Sequence, residues 1–427
     1  MKMYDAIVMG GSIAGLLAAR EIARRRCSVL VLEEDAEIGT PEHCGGLVSR
    51  SALRSLAIDE YTVLSRVRHA TITVRDVSIE MDAERQDVIA VDRRALDKYV
   101  ARQASRDGAD VMLMCRARSF AVHGDHVRVD TSRGVMECRV LVDARGCAVP
   151  ASSGRGFLPS AQYEIDSAAW IEDGRVEVHI DQEMYPGFFA WVIPSGSGRG
   201  RVGVAGKGIN VASRIEGFIA TREMAGYANG DVGSSSSNSS SNSSSSNGNC
   251  CSDHNMIHRS DGRGSRCVTL RKVFAPIWVD GPRRPFVRDG RVVIVGDAAG
   301  QAKPTTAGGI YTSGMGGVLA GTAIAEALTS SNLAMLSRYE DEWLNMFGRE
   351  FERMLMLRRL FERLDNRAIG RILLSVGSYV MDEVSASGDF DFHSSALARM
   401  LMSRDGLSIA RAILGSEFRR LIGIAKI

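Results

Sequence analysis

Tyr4-Asp5-Ala6-Ile7-Val8-Met9-Gly10-Gly11-Ser12-Ile13-Ala14-Gly15 decides how the rest of the chain is read. The first six residues suit a buried strand, and the residues after the glycines read as a helix to about Arg26. A second apolar run, Ser28-Val29-Leu30-Val31-Leu32, ends on Glu33, close to the ~20-residue spacing expected of an acid that follows a glycine turn. Strand, turn, helix, strand and acid together make a βαβ unit of the dinucleotide-binding kind. Gly10 serves the tight turn, Gly15 lets helix and strand approach, and a pyrophosphate would cap the helix N-terminus. Glu33 would then hold ribose hydroxyls. Ser12 departs from the pattern, standing where G-x-G-x-x-G has its middle glycine, but it is small enough to leave a phosphate room.

Working outward, 427 residues amount to two or three domains. Hydrophobic residues at 45% and charged residues at 24% exclude global disorder and a multi-span membrane protein. A net charge of +2 supplies no field for nucleic acid, so no nucleic-acid partner is expected. Eight cysteines are too sparse for a disulfide scaffold, and no secretory leader precedes the first strand, which points to a reducing cytoplasm. The longest apolar stretch, Met315 to Leu328, is interrupted by Gly316, Gly317, Gly321, Thr322 and Glu326, and is shorter than the ~20 residues of a span. Contact with a membrane would be peripheral.

Past Glu33, Gly39-Thr40-Pro41-Glu42-His43-Cys44-Gly45-Gly46-Leu47-Val48-Ser49 holds too many turn residues for regular structure. Val91-Asp92-Arg93-Arg94 opens a helix to about Arg106; Val111–Ala117, Val127–Val129 and Val135–Val142 read as strands, the last followed by Asp143-Ala144-Arg145-Gly146. From about Gln162 to Ala205 the pattern alternates, as in an antiparallel sheet. Asp231 to Asn249 is almost all Ser, Asn and Gly and cannot offset the cost of ordering, so it reads as a disordered surface insertion. Cys250, Cys251, His254, His258 and Cys267 follow without recognised ligand spacing, and no metal centre is expected. The strand Arg291-Val292-Val293-Ile294-Val295 leads into Gly296-Asp297-Ala298-Ala299-Gly300 and the Lys303-Pro304-Thr305-Thr306-Ala307-Gly308-Gly309-Ile310 loop. Small residues crowd the helix after it, and Gly314-Met315-Gly316-Gly317, which no strand feeds, reads as close packing rather than a second nucleotide fingerprint. From Leu333 on, the periodicity is helical and rich in Met, Leu and Arg.

The expected fold is α/β with α+β character. A Rossmann-like domain over residues 1–160 and 285–330 binds the cofactor, and an antiparallel-sheet substrate domain spans 161–284, including the 231–249 insertion. A helical C-terminal region covers 331–427.

Three separated motifs now stand together: G-x-S-x-x-G with Glu33, the Asp92-Arg93 helix opening, and Gly296-Asp297 with its Pro-Thr-Thr-Ala-Gly-Gly-Ile loop. The combination resembles the FAD-dependent monooxygenase-like superfamily of the p-hydroxybenzoate hydroxylase type, from Tyr4 to about Leu328. Within it, Pro41-Glu42-His43-Cys44-Gly45-Gly46 is similar to the P-x-x-C-x-G loop of the geranylgeranyl reductase family. Phe189-Ala190-Trp191-Val192-Ile193-Pro194 resembles that family's aromatic-x-Trp-x-Phe-Pro motif, with Ile193 for Phe. The Lys303–Tyr311 loop is closest to the archaeal digeranylgeranylglycerophospholipid reductases, with Ala307 standing for a Gly.

The resemblance implies FAD as cofactor. It places contacts at Ala14, Glu33, Cys44, Gly45, Leu47, Arg93, Ala117, Asp297, Gly309 and Ile310, in addition to the turn residues Gly10, Ser12, Gly15 and Gly296. It further implies reduction of isolated double bonds in the prenyl chains of an ether glycerophospholipid precursor. Such alkenes are unactivated, so a proton must arrive with the hydride. Cys44 is the expected catalytic residue, as proton donor or part of the donor chain, while Phe189, Trp191 and Pro194 would line an apolar substrate channel.

Other readings share the fold. Aromatic-x-Trp-x-Ile-Pro also resembles a halogenase motif, Val142-Asp143-Ala144-Arg145-Gly146 is faintly similar to lycopene cyclases, and Rab GDP-dissociation inhibitors bind prenyl groups without catalysis. The Cys44 loop argues against the halogenase, and Glu33 with Asp297 argues for a real flavin site. The electron donor stays open between NAD(P)H, ferredoxin and another reduced carrier.

Overall fold

The computed structural model describes residues 3–148, 156–230, 267–374, 377 and 390–392. The 231–249 insertion, Cys250, Cys251, His254, His258 and most of the chain after 374 lie outside them.

Five parallel strands form the first layer, in the order Val292–Ile294, Gly134–Asp143, Met3–Met9, Val29–Leu32, Asp110–Met112. Alternation along Met3–Met9 sends Ala6 and Val8 to one face and Ile7 and Met9 to the other. On the first face lie the helices α1 (Ile13–Arg24), α2 (Arg50–Ser55) and α3 (Arg93–Arg106), with side chains from the two long C-terminal helices. The second face is closed by Ala117–Val122 and Val127–Thr131, an antiparallel extension of Gly134–Asp143. Because both faces are covered, the strands read as continuous apolar runs, which is why the sequence exposes them so clearly.

The seven-stranded second sheet runs Val268–Trp278, Phe157–Asp166, Arg199–Ala205, Ala190–Gly196, Arg175–Ile180, His69–Val74, Val77–Asp82. Helix α4 (Val211–Gly230) covers one face through Ile215 and Ile219, packed on Tyr163, Val192, Val202 and Val204. Period two therefore turns Gln162, Trp191, Ile193, Arg201 and Gly203 the other way, toward the first domain.

Three expectations are corrected. His69–Val74 and Val77–Asp82, inside the 1–160 span read as cofactor-binding, belong to the second sheet. That sheet is not wholly antiparallel, since His69–Val74 pairs parallel to Arg175–Ile180; the chain between them supplies the long crossover that parallel pairing needs. Val111–Ala117 is not one strand: Met114, at a φ of +53°, turns the chain between Asp110–Met112 and Ala117–Val122.

Helix α5 (Ile310–Thr329) crosses α1 at close range. A Cβ on Gly317 would fall on the Ala14 carbonyl oxygen, and one on Gly321 on that of Ala18, so the small-residue run serves packing. Helix α6 (Arg338–Phe361) then buries Tyr339, Trp343, Phe347 and Phe351 against the same core. Among the described residues, no helix is long and apolar enough to cross a membrane, and no group of three His, Cys, Asp or Glu stands together as metal ligands.

Candidate active site

Two helix N-termini converge where the first-layer strands end. Ser12 precedes α1 and Gly309 precedes α5, and neither residue's side chain caps its helix. The positive ends of both helix dipoles therefore point to this place without a capping side chain in front of them. Gly10 takes a φ of +107°, and a Cβ there would meet the Ala144 carbonyl oxygen at 2.6 Å, so the turn admits only glycine. A Cβ on Gly15 would fall on Gly10 O. Glu33 closes the Val29–Leu32 strand with its carboxylate accepting from the N–H groups of Gly11 (2.7 Å) and Asp35 (3.1 Å).

The Gly296–Ala299 turn meets this unit directly. Gly296 faces Ala14, and Gly309 lies so near Asp297 that an added Cβ would stand 3.3 Å from its Oδ1. Burial pushes the Asp297 carboxyl above the ordinary carboxylate value, against the pull of Arg93 and a long hydrogen bond from Ser313 Oγ. An acid so placed between two helix N-termini, with Glu33 at the end of a strand of the same sheet, fits a dinucleotide such as FAD. Gly10, Ser12, Ala14, Gly15, Gly296, Asp297, Gly309 and Ile310 therefore stand together around these two helix ends. Ala117 is set apart on the outer strand, two residues after Cys115, whose N–H donates to Glu33 O. Ala307, where the resemblance expects glycine, adopts a φ of +55°.

The Cys44 loop is pinned between the two domains. Glu42, buried among arginines, receives Arg201 Nη2 at 2.5 Å and Arg271 Nη2 at 3.0 Å, and accepts from Arg93 N–H at 3.3 Å. Arg201 also donates to the carbonyl oxygens of Gly45 (3.0 Å) and Val91 (3.1 Å). Gly46 holds a φ of +76°, and a Cβ there would collide with Arg201 Nη1. Cys44 Sγ accepts a hydrogen bond from Gly46 N–H at 3.3 Å. Arg93 makes two 3.0 Å bonds to Asp97; burial opposes its charge, but Asp97 and the Cys44 sulfur outweigh that and raise its pKa. Arg93 thus faces both Cys44 and Asp297. The sequence reading named neither Glu42 nor Arg201 as a working residue. The only signal was Glu42's place in the loop motif, since its arginine partners lie far along the chain.

Apolar groups meet beside the loop. Phe189 stacks on Phe188 at 4.1 Å and packs edge-on to Trp191, and Ala307 joins the same apolar cluster. Trp191 and Leu47 pack with Ile193 and Phe390, and Ile193 lies close against Gly45. Pro194 does not join them: one residue past Ile193, it turns to the α4 face, opposite Gly200 and Ile171.

No protein-family model matches the chain. Among solved structures, a geranylgeranyl bacteriochlorophyll reductase-like protein of Thermoplasma acidophilum superposes with a TM-score of 0.75 at 18% identity, covering 97% of this chain and 99% of that one. The flavin-dependent brominase Bmp2 gives 0.63 at 15% identity (98% and 100% covered), and a variant of the halogenase PltM in complex with FAD gives 0.58 at 15% (96% and 88%). These likenesses establish a fold shared with flavoproteins. Among curated proteins, digeranylgeranylglycerophospholipid reductase 2 of Methanopyrus kandleri is 27% identical over 86% of this chain and 89% of its own. The enzyme of the same name from Methanothermobacter thermautotrophicus is 30% identical over 90% of this chain and 94% of its own. With that identity along nearly the whole of both chains, the protein belongs to the digeranylgeranylglycerophospholipid reductase family.

Proposed function

We propose that the protein is an FAD-dependent reductase that saturates isolated double bonds in the geranylgeranyl chains of an ether glycerophospholipid precursor, of the 2,3-bis-O-geranylgeranylglyceryl phosphate type, for membrane lipid synthesis. The observation that carries this reading is the clamped Cys44 loop, set between the cofactor cleft and an apolar aromatic cluster, in a chain whose relatives bear that name.

Gly10, Ser12, Ala14, Gly15, Glu33, Asp297, Gly309 and Ile310 would hold FAD, together with Cys44, Gly45, Leu47, Arg93 and Ala117. Reduced FAD supplies the hydride. Phe189, Trp191, Leu47 and Ile193 exclude water and bury the prenyl chain, which gains about 25 cal/mol for each Å² of apolar surface removed from water. Cys44 gives the proton to the alkene carbon opposite the one that takes the hydride. Gly46 N–H and the Arg93 guanidinium then stabilise the sulfur that has lost it. The lipid substrate brings the protein to a membrane surface as a peripheral enzyme, and a reduced carrier, whether NAD(P)H or ferredoxin, supplies electrons.

Mass spectrometry of the lipid after anaerobic incubation with dithionite-reduced protein tests this without the physiological donor. A gain of two hydrogens per double bond is the expected result. Unchanged lipid beside a protein that holds FAD and reoxidises rapidly in air would replace this reading with the monooxygenase or halogenase one.

A further inference from the structure

Gln162 sits in the middle of the Phe157–Asp166 strand, 8% exposed, on the face turned toward the Cys44 loop. Its Nε2 donates to the carbonyl oxygen of Cys44 at 3.2 Å, and its Oε1 accepts from Trp191 Nε1 at 3.3 Å. A backbone carbonyl only accepts and an indole N–H only donates, so chemistry alone fixes which end of the amide faces which partner. Leucine and methionine offer neither function, and an ionised glutamate offers no donor.

The bridge has a geometric consequence. Trp191 is carried by the strand beside Arg199–Ala205, and Cys44 by an irregular loop of the other domain. Two successive carbonyls of that loop are held from the sheet: that of Cys44 by Gln162 and that of Gly45 by Arg201. Arg201 is committed to Glu42 and Val91 as well, so it anchors the loop but does not touch Trp191's hydrogen-bonding edge. Among the described residues, Gln162 is the one that hydrogen-bonds both the Cys44 carbonyl and the Trp191 indole.

We propose that Gln162 is a positioning residue that sets the separation of the Cys44 thiol from the Trp191 indole, and with it where a prenyl double bond rests relative to the proton donor. This rests on the proposed reductase function. A carbonyl freed in that loop lets the Cys44 backbone shift, and a displacement of about 1 Å at a reacting group can cost on the order of a hundredfold in rate.

The test compares full-length, FAD-loaded wild type with Gln162→Leu, Gln162→Glu, Trp191→Phe and the Gln162→Leu/Trp191→Phe double variant. Two quantities are read: kcat and KM for dithionite-driven lipid reduction, and the rate at which iodoacetamide alkylates Cys44, followed on its peptide with Cys44→Ala as blank. In Gln162→Leu, kcat should fall roughly ten- to a hundredfold, with KM and flavin content little changed and Cys44 alkylated several times faster. Gln162→Glu keeps an acceptor for Trp191 but loses the donor to Cys44, and it should show the faster alkylation too. The losses in kcat from Gln162→Leu and Trp191→Phe should be less than multiplicative in the double variant. Unchanged alkylation in both Gln162 variants, or independent effects in the double variant, overturns the proposal. A wild type that leaves the lipid intact defeats the reductase reading instead, and the alkylation rates still decide whether Gln162 holds Cys44.

Discussion

The Glu42 carboxylate and the Arg201 guanidinium meet at 2.5 Å, both side chains at most 2% exposed, and the same guanidinium bonds the carbonyls of Gly45 and Val91. This pair fastens the Cys44 loop to the second sheet. It also explains why Gly46 must be glycine: a side chain there would occupy the path of Arg201.

Removing one member of the pair leaves the other charge buried. Arg201→Leu should cost about 3–5 kcal/mol, read as a fall in denaturation midpoint. Arg271→Leu should cost less, because Arg271 is 22% exposed and water takes up part of its role. The double change Glu42→Leu/Arg201→Leu should recover part of the loss. Equal costs for Arg201→Leu and Arg271→Leu would show that burial does not set the strength of the clamp.

Replacing Cys44 separates chemistry from cofactor binding. Its sulfur accepts from Gly46 N–H and faces Arg93, and neither group depends on it for its other bonds. Cys44→Ala should retain FAD and lose about 10²–10⁴-fold in turnover, the usual worth of a positioned proton donor. Flavin absorbance and lipid mass spectrometry on one sample check both halves, and full turnover in this variant would remove Cys44 from the reaction.

Asp297 should trade stability for cofactor binding. Burial raises its folded-state pKa above the ordinary 3.8, so it favours folding below that value and loses that contribution as pH rises through the folded-state pKa. At neutral pH, well above the ordinary value, burying this group therefore costs the flavin-free protein stability. Flavin-free Asp297→Asn should melt higher than wild type near neutral pH, with the advantage shrinking toward about pH 4, while its retention of FAD falls. Melting curves across that range decide it; an apoprotein destabilised by the asparagine would contradict the assigned sign.

What could be read from the sequence follows from range. Gly10, Gly15 and Glu33 act within one βαβ unit, and Gly296-Asp297 within one turn, so spacing alone exposes them. Glu42 with Arg201, and Gln162 with Cys44, are joined only by the meeting of two domains, and among 53 basic residues no pattern marks Arg201 as a partner. Pro194 differs from its motif neighbours for a related reason. A motif runs along the chain, but a strand sends neighbouring residues to opposite faces, so Pro194 cannot line what Trp191 and Ile193 line. The hairpin at 69–82 alternates polar and apolar residues strictly, as half-exposed strands do, but nothing local says which sheet it joins.

Gly203 provides the last test, because it makes room for Trp191 from the second sheet. It is paired with both Gln162 and Trp191 across the sheet, and a Cβ added there would overlap the indole ring. Backbone cannot yield in the middle of a paired strand, so in Gly203→Ala the indole must move, and its bond to Gln162 Oε1 goes with it. Overpacking of this kind costs about 1–3 kcal/mol. Lipid turnover should fall while FAD content stays near the wild-type level, since Gly10, Glu33, Asp297 and Gly309 all stand in the other domain. Gly217→Ala is the matched control: the position lies in α4 with nothing within 4 Å of an added Cβ, and alanine there should stabilise the helix by up to about 1 kcal/mol with turnover unchanged. If Gly203→Ala turns over lipid as fast as wild type, Trp191 does not define the substrate path, and the channel must run along Leu47 and Phe390 instead.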